Sequence, residues 1–133
     1  LRAYVDSNRL NNVEFLGFVE STAEVYRNID VLCFPSKLNA AGRPVLEAAY
    51  FGGPSIVAAR NPKPDTIVPG VSGLCIVESD PVELANAIKR LFLNASLRER
   101  LGQGAQCLAR RYFDPKENAK KVLSVYQRVV EVR

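Results

Sequence analysis

Compact apolar runs alternate with amphipathic ones along the chain. VEFLGF (13–18), DVLCFPS (30–36), PSIVAA (54–59) and GLCIV (73–77) are short apolar stretches that give way to Gly-, Pro-, Ser- or Asn-containing loops. Runs of this kind suit parallel strands covered on both faces. STAEVYRNI (21–29) lies between the first two and reads as a helix capped by Ser21 or Thr22. A second helix is predicted over 43–52, with Pro44 fixing its start and Gly52–Gly53 closing it. The third crossover, RNPKPDTIVPG (60–70), carries three prolines and has room for one helical turn, begun by Asp65.

Beyond the fourth run the pattern is wholly helical. Asp80, Pro81 and Glu83 open a helix over 80–92 as N-cap, first helical residue and capping-box partner. Leu84, Ala85, Ile88, Leu91 and Phe92 form its apolar face. A run over 96–113 is a helix weakened by Gly102 and Gly104. Asp114, Pro115 and Glu117 open the last helix (114–133), striped by Ala119, Val122, Leu123, Tyr126, Val129 and Val130. Strands alternating with helices predict an α/β fold with a parallel sheet of about four strands, right-handed crossovers, flanking helices and a helical C-terminal third.

Composition narrows the chemistry. At 133 residues, 47% hydrophobic and 24% charged, the chain is one globular domain long enough to bury a core. It lacks Met and begins at Leu1, and is expected to be a fragment of a longer protein. No apolar run approaches the roughly 18 residues of a membrane span. Histidine is absent, which removes the usual general base and the commonest metal ligand. Cys33, Cys75 and Cys107 are far apart and odd in number, and are expected as buried free thiols, in keeping with a reducing cytoplasm. The net charge of +4 is unevenly spread. Residues 1–88 carry 7 Lys/Arg against 10 Asp/Glu, residues 89–133 carry 11 against 4. The basic C-terminal third is either a solvated helix face or a peripheral contact for an anionic membrane. Nucleic acid is not expected, because Tyr112, Phe113 and Tyr126 are too scattered to form a stacking platform.

The stretch NAAGRPVLEAAYFGG (39–53) carries the candidate chemistry. In parallel α/β sheets, ligands bind where the loop after a strand meets its helix. Amides around Ala41, Gly42 and Arg43 would sit at the positive end of the helix dipole, where phosphate binds. Gly42 permits close approach, and Arg43 can add a charge-assisted contact. Glu47, one turn in, can accept two hydroxyl hydrogen bonds at once; it can equally serve only to favour the helix dipole.

From Asn11 onward, NNVEFLGFV, IDVLCFPS, GRPVLEAAYFGGPSIV, DTIVPGVSGLCIVESDPVELANAIKRLF and SLRERLGQGAQCLARRYFD follow one another in an order and spacing of their own. Together they resemble the C-terminal, donor-binding domain of the GT-B retaining glycosyltransferases, the group 1 family also numbered family 4. The resemblance covers almost the whole chain and implies a partial Rossmann-like sheet. The family's signature is two glutamates separated by seven residues, with a glycine-rich loop between. By resemblance, the second falls on Glu47, which would grip the ribose hydroxyls of a nucleotide-sugar. Asn39, Ala41, Gly42, Arg43 and Val45 would complete the donor contacts, and Gly17, Phe18 and Val19 would pass the base. Asn39 stands where the first glutamate belongs, and Ala40 and Ala41 replace the loop's Gly-Phe. Asparagine keeps hydrogen-bonding capacity but no charge, so no residue is assigned as catalytic.

The expected activity is therefore the donor-binding part of an enzyme moving a sugar from a UDP-, GDP- or ADP-sugar to an acceptor, with no metal or other cofactor. A non-catalytic nucleotide-sugar module is the alternative, and a basic membrane-surface module a third. The resemblance also implies that strand 13–18 lacks its usual neighbours. The four strands should then close up in another order, or pair with a second copy of the chain. Identity of the sugar and acceptor is not written in these residues.

Overall fold

The structure, a computed structural model, describes residues 1–36, 42–77 and 80–131. Its elements are α1 (Arg2–Ser7), α2 (Thr22–Asn28), β1 (Leu32–Phe34), α3 (Arg43–Tyr50), β2 (Ser55–Ala58), β3 (Gly73–Ile76), α4 (Pro81–Leu93), α5 (Ala95–Tyr112) and α6 (Pro115–Glu131). The α/β class with a parallel sheet, flanking helices and a helical C-terminal third is as the pattern predicts. The sheet among the described residues has three strands, in the order β1-β2-β3, all parallel.

Residues 13–18 are not the fourth strand. They run from α1 to α2 without a ladder partner, with Val13, Phe15, Leu16 and Phe18 exposed. Closure of four strands into a new order therefore does not occur. Apolar content makes a strand possible, but only a neighbouring edge makes it pair. The short helix α1, not foreseen in the sequence, leads into this segment, and the Arg2 guanidinium lies 4.6 Å from the centre of the Phe15 ring.

Alternation along β2 divides the core. Ile56 and Ala58 face α4 and α5, packing with Leu74, Ile76, Ala87, Leu91, Leu97 and Leu101. Val57 and Ala59 face the other way, against Val45 of α3 and Ile67. Both faces of β2 are covered, which is why its run is continuously apolar. Leu91 and Leu101 are fully buried, each worth about 1.5–3 kcal/mol of transfer free energy. On α4 the buried positions are Ala87 and Leu91, with Leu84 half-buried. Ala85, Ile88 and Phe92, expected on the same face, are exposed. Ile88 and Phe92 instead line a groove with Ile29, Val31 and Cys33 beside β1, where no further element packs among the described residues.

Caps behave locally. Asp80 Oδ1 accepts the Val82 amide at 2.7 Å, Asn94 Oδ1 accepts Leu97, and Asp114 Oδ1 accepts Lys116 and Glu117. The predicted capping box is only half made, because Glu83 Oε2 takes the amide of Val77. The turn in the third crossover is begun by the Lys63 carbonyl, which accepts Thr66 and Ile67, rather than by Asp65. Gly102 and Gly104 do not break α5. A Cβ on Gly102 would lie 2.2 Å from the Gly52 carbonyl oxygen, and one on Gly104 2.1 Å from that of Val71. Their smallness lets α5 seat directly on the backbone that ends α3 and precedes β3. The α6 stripe is wholly exposed, and among the described residues α6 packs against no other element.

None of the three thiols is fully buried as expected. All are free, but Cys33 and Cys107 are exposed and Cys75 is half-buried. Cys33 stands on the edge strand and Cys107 on the outer face of α5, so neither is covered. Partial enclosure still pushes the Cys33 and Cys75 thiols above their ordinary range. Among the described residues no helix is long and apolar enough to cross a membrane.

Candidate functional site

Helix α3 begins at the carboxyl end of the sheet. Gly42 is its N-cap in extended conformation, without a side-chain cap, and Pro44 sits in the first turn. The Val45 amide donates to the Gly42 carbonyl at 3.0 Å. A Cβ at Gly42 would stand 2.8 Å from Cζ of Phe34 at the end of β1, so any larger residue there would have to displace the tip of that ring. The helix closes through Gly52, whose φ of +82° suits glycine, and the Gly53 amide donates to Ala48 at 2.8 Å.

A cavity of about 540 Å³ opens against this helix start. Gly42, Arg43 and Leu46 form one wall, with Asn61, Lys63 and Thr66 from the loop after β2 among the others. Two cationic side chains, Arg43 and Lys63, and one carboxylate, Asp65, thus share one space with the uncapped end of α3. The helix end and the two cations favour negative charge there, and Asp65 opposes it.

Glu47 lies one turn below. Its side chain is 36% exposed, so it is neither buried nor locked in a core ion pair. Oε1 is 3.9 Å from Nε of Arg43, itself 86% exposed, a loose pair of small energetic weight. Oε2 accepts a hydrogen bond from the Tyr26 hydroxyl of α2 at 2.9 Å. Tyr26 in turn stacks on Phe51, ring centres 6.3 Å apart, and the Arg27 guanidinium lies 5.0 Å from the Phe51 centroid. Partial burial, the Glu47 hydrogen bond and its negative charge all raise the Tyr26 phenol above its usual ionisation range.

The structure thus brings Gly42 and Arg43 to the cavity, with Glu47 reached through Arg43. Val45 points its side chain into the core beneath, at 2% exposure, so only its backbone borders the helix start. Asn39 and Ala41 lie outside the described residues. Gly17, Phe18 and Val19 sit in the extended segment before α2; Gly17 has φ of +70° and Phe18 is 91% exposed, and none of the three lines the cavity. Tyr26 and Lys63 were not singled out in the sequence. Tyr26 is separated from Glu47 by 21 residues, and no periodicity connects them. For Lys63 a faint signal exists, a cation held between two prolines in the loop after a strand.

Comparison with known proteins supplies the remaining context. A sequence model of the family described as glycosyl transferases group 1 matches residues 2–107. A D-inositol 3-phosphate glycosyltransferase from Stackebrandtia nassauensis is 35% identical over 111 residues, covering 84% of this chain and 25% of that protein. The chain thus spans about a quarter of the length of the curated relatives it matches. Sucrose-phosphate synthase from Thermosynechococcus elongatus superposes with a TM-score of 0.89 at 25% identity, over 99% of this chain and 34% of that one. Anabaena HepE, solved in complex with UDP, has a TM-score of 0.78 at 24% identity, covering 98% of this chain and 35% of HepE. HepE has also been solved with UDP-glucose.

Proposed function

The chain belongs to the group 1 glycosyl transferases, and from that premise we propose that it is the donor-binding part of a retaining enzyme that takes a sugar from a nucleotide-sugar. The observation that carries this is the placement of Glu47. A partly exposed carboxylate stands one turn below the uncapped start of α3, beside a cavity bearing Arg43 and Lys63. The diphosphate meets the helix end and the two cations, and the ribose hydroxyls donate to Glu47. The complexes of HepE with UDP and UDP-glucose support this class of ligand.

Binding of this kind needs no metal, because the protein's own cations and the helix dipole meet the diphosphate charge. Calorimetry of the full-length protein against UDP, GDP and ADP, and the corresponding glucose donors, tests the proposal. One of these binds in the micromolar to millimolar range, EDTA leaves the affinity unchanged, and Glu47→Ala lowers it at least about tenfold. Equal affinity in wild type and Glu47→Ala would sink the assignment.

Asn39 favours a second reading, a module that binds the donor without turning it over. Hydrolysis or transfer of the bound donor by the unmutated protein separates the two. Turnover supports the enzyme, and tight binding with none supports the module.

A further inference from the structure

We propose that Tyr26 is a positioning residue for the donor's ribose: its hydroxyl holds Glu47 in the orientation that accepts the ligand's two hydroxyls. The premise is Glu47's role toward the ribose, described above; Tyr26 adds the element that makes this carboxylate a preformed acceptor.

Glu47 is a flexible side chain on a surface-facing part of α3, and freezing such a chain costs about 1.5–2 kcal/mol of rotamer entropy. Arg43 stands 3.9 Å away on the same helix. Left to itself, the carboxylate would swing onto that guanidinium, and both of its oxygens would be spent there. Tyr26 prevents this from a different helix. Its hydroxyl, 2.9 Å from Oε2, takes one of about four lone-pair positions on the carboxylate. The remaining positions stay open for two hydroxyl donors.

The tyrosine is itself held in place. Its ring stacks nearly parallel to Phe51, at an interplanar angle of 13°, and Phe51 is steadied on its other sides by Tyr50, edge-on at 5.4 Å, and by the Arg27 guanidinium. Phe51 directly follows α3, so the α2 side chain is referenced to the helix whose carboxylate it holds. The hydroxyl is only a donor here: a protonated phenol beside an ionised carboxylate has one sensible arrangement. A bridge that merely tied α2 to α3 would need no particular ligand to be present. One that orients an acceptor for a diol should matter in proportion to the hydroxyls the ligand offers.

The experiment measures the affinity of the full-length protein for UDP, GDP and ADP, and for the 2′-deoxy form of whichever binds most tightly, in wild type, Tyr26→Phe, Glu47→Gln and the double variant. Phenylalanine keeps the ring and its stacking, and a thermal melt of each variant checks the fold. Tyr26→Phe is expected to weaken the ribonucleotide about three- to tenfold and the deoxynucleotide less than twofold. In the Glu47→Gln background the same change should add less than twofold, because the group it positions has been altered. Tyr26→Phe with wild-type affinity, while Glu47→Gln has lost it, overturns the role of Tyr26 and leaves the ribose assignment standing. Equal losses for ribo- and deoxynucleotide in Tyr26→Phe also overturn it, as a plain structural tie. If Glu47→Gln binds like wild type, or no nucleotide binds at all, the ribose assignment fails and this inference with it.

Discussion

The Tyr26 hydroxyl and Glu47 Oε2 stand 2.9 Å apart, joining α2 to the helix whose start borders the cavity bearing Arg43 and Lys63. The bond places a titratable donor against a fixed negative charge, and so gives the fold a dependence on alkaline pH. Folding raises the ionisation point of the phenol above its ordinary value of 10.0, chiefly through burial and then through Glu47. The folded chain therefore keeps this proton more firmly than the unfolded chain. The resulting stabilisation is complete below pH 10 and is lost as pH rises through the higher, folded value. Urea unfolding of wild type and Tyr26→Phe between pH 8 and 12 isolates this group from the lysines and other tyrosines. The difference in stability between them should be constant to about pH 9.5 and shrink above 10. A difference that is flat to pH 12 would mean that Tyr26 does not hold its proton against Glu47.

Gly102→Ala and Gly104→Ala test how α5 is seated. On an open helix surface either change would stabilise by up to about 1 kcal/mol, since alanine is the better helix former. Here the new methyl would lie 2.2 Å from the Gly52 oxygen or 2.1 Å from the Val71 oxygen. Backbone cannot rotate away as a side chain can, so overpacking decides the sign. Each variant is expected to lose about 1–3 kcal/mol in chemical denaturation. Gly52 lies two residues beyond the end of α3, so Gly102→Ala should also disturb nucleotide binding more than Gly104→Ala.

What the sequence made legible was local. The caps of α4 and α6 could be assigned because Asp80 and Asp114 act within three residues of themselves. Doubly covered β2 was plain from its unbroken apolar run. Apart from the local misses at Asp65 and Glu83, the failures concern partners far away in the chain. Residues 13–18 look like a strand, yet nothing within the sequence says whether an edge awaits them. Ile88 and Phe92 share the periodicity of Leu84 and Leu91, but periodicity gives the stripe and not its cover. Gly102 and Gly104 looked like flaws in a helix until the carbonyls of Gly52 and Val71 supplied their purpose. For the candidate site, Gly42, Arg43 and Glu47 could be grouped from the sequence because one helix start unites them. Tyr26 arrives from another element with no local signal, and Lys63 with only the faint one of its flanking prolines.

Asp80 and Glu83 separate a cap from a box. A reciprocal capping box would make the two residues energetically coupled. In the structure Asp80 caps α4 through Val82, whereas Glu83 takes the exposed amide of Val77. Asp80→Ala should cost about 1 kcal/mol, the usual loss of an N-cap. Glu83→Ala should cost about half as much or less, and the double variant should equal the sum of the two within about 0.5 kcal/mol. A strong coupling between them in denaturant titrations would restore the box.

Arg43 and Lys63 both line the cavity, one from α3 and one from the loop after β2. If a diphosphate occupies that space, both cations lower its charge, but they differ in how firmly they are placed. Arg43 is fixed to a helix and offers a planar fork that matches two phosphate oxygens; Lys63 is a flexible point charge on a loop. Arg43→Ala should therefore weaken UDP binding by about tenfold and Lys63→Ala by about threefold, each flattening the dependence of affinity on salt. Uridine, which lacks the phosphates, should bind the two variants as it binds wild type. Arg43→Ala has a second consequence, since it frees Glu47 Oε1 from its 3.9 Å neighbour. Loss confined to the diphosphate, with uridine affinity kept, places the anion on the cations and the ribose on the carboxylate. An equal loss for uridine and UDP would show instead that Arg43 acts by steering Glu47, and that the helix start holds no phosphate.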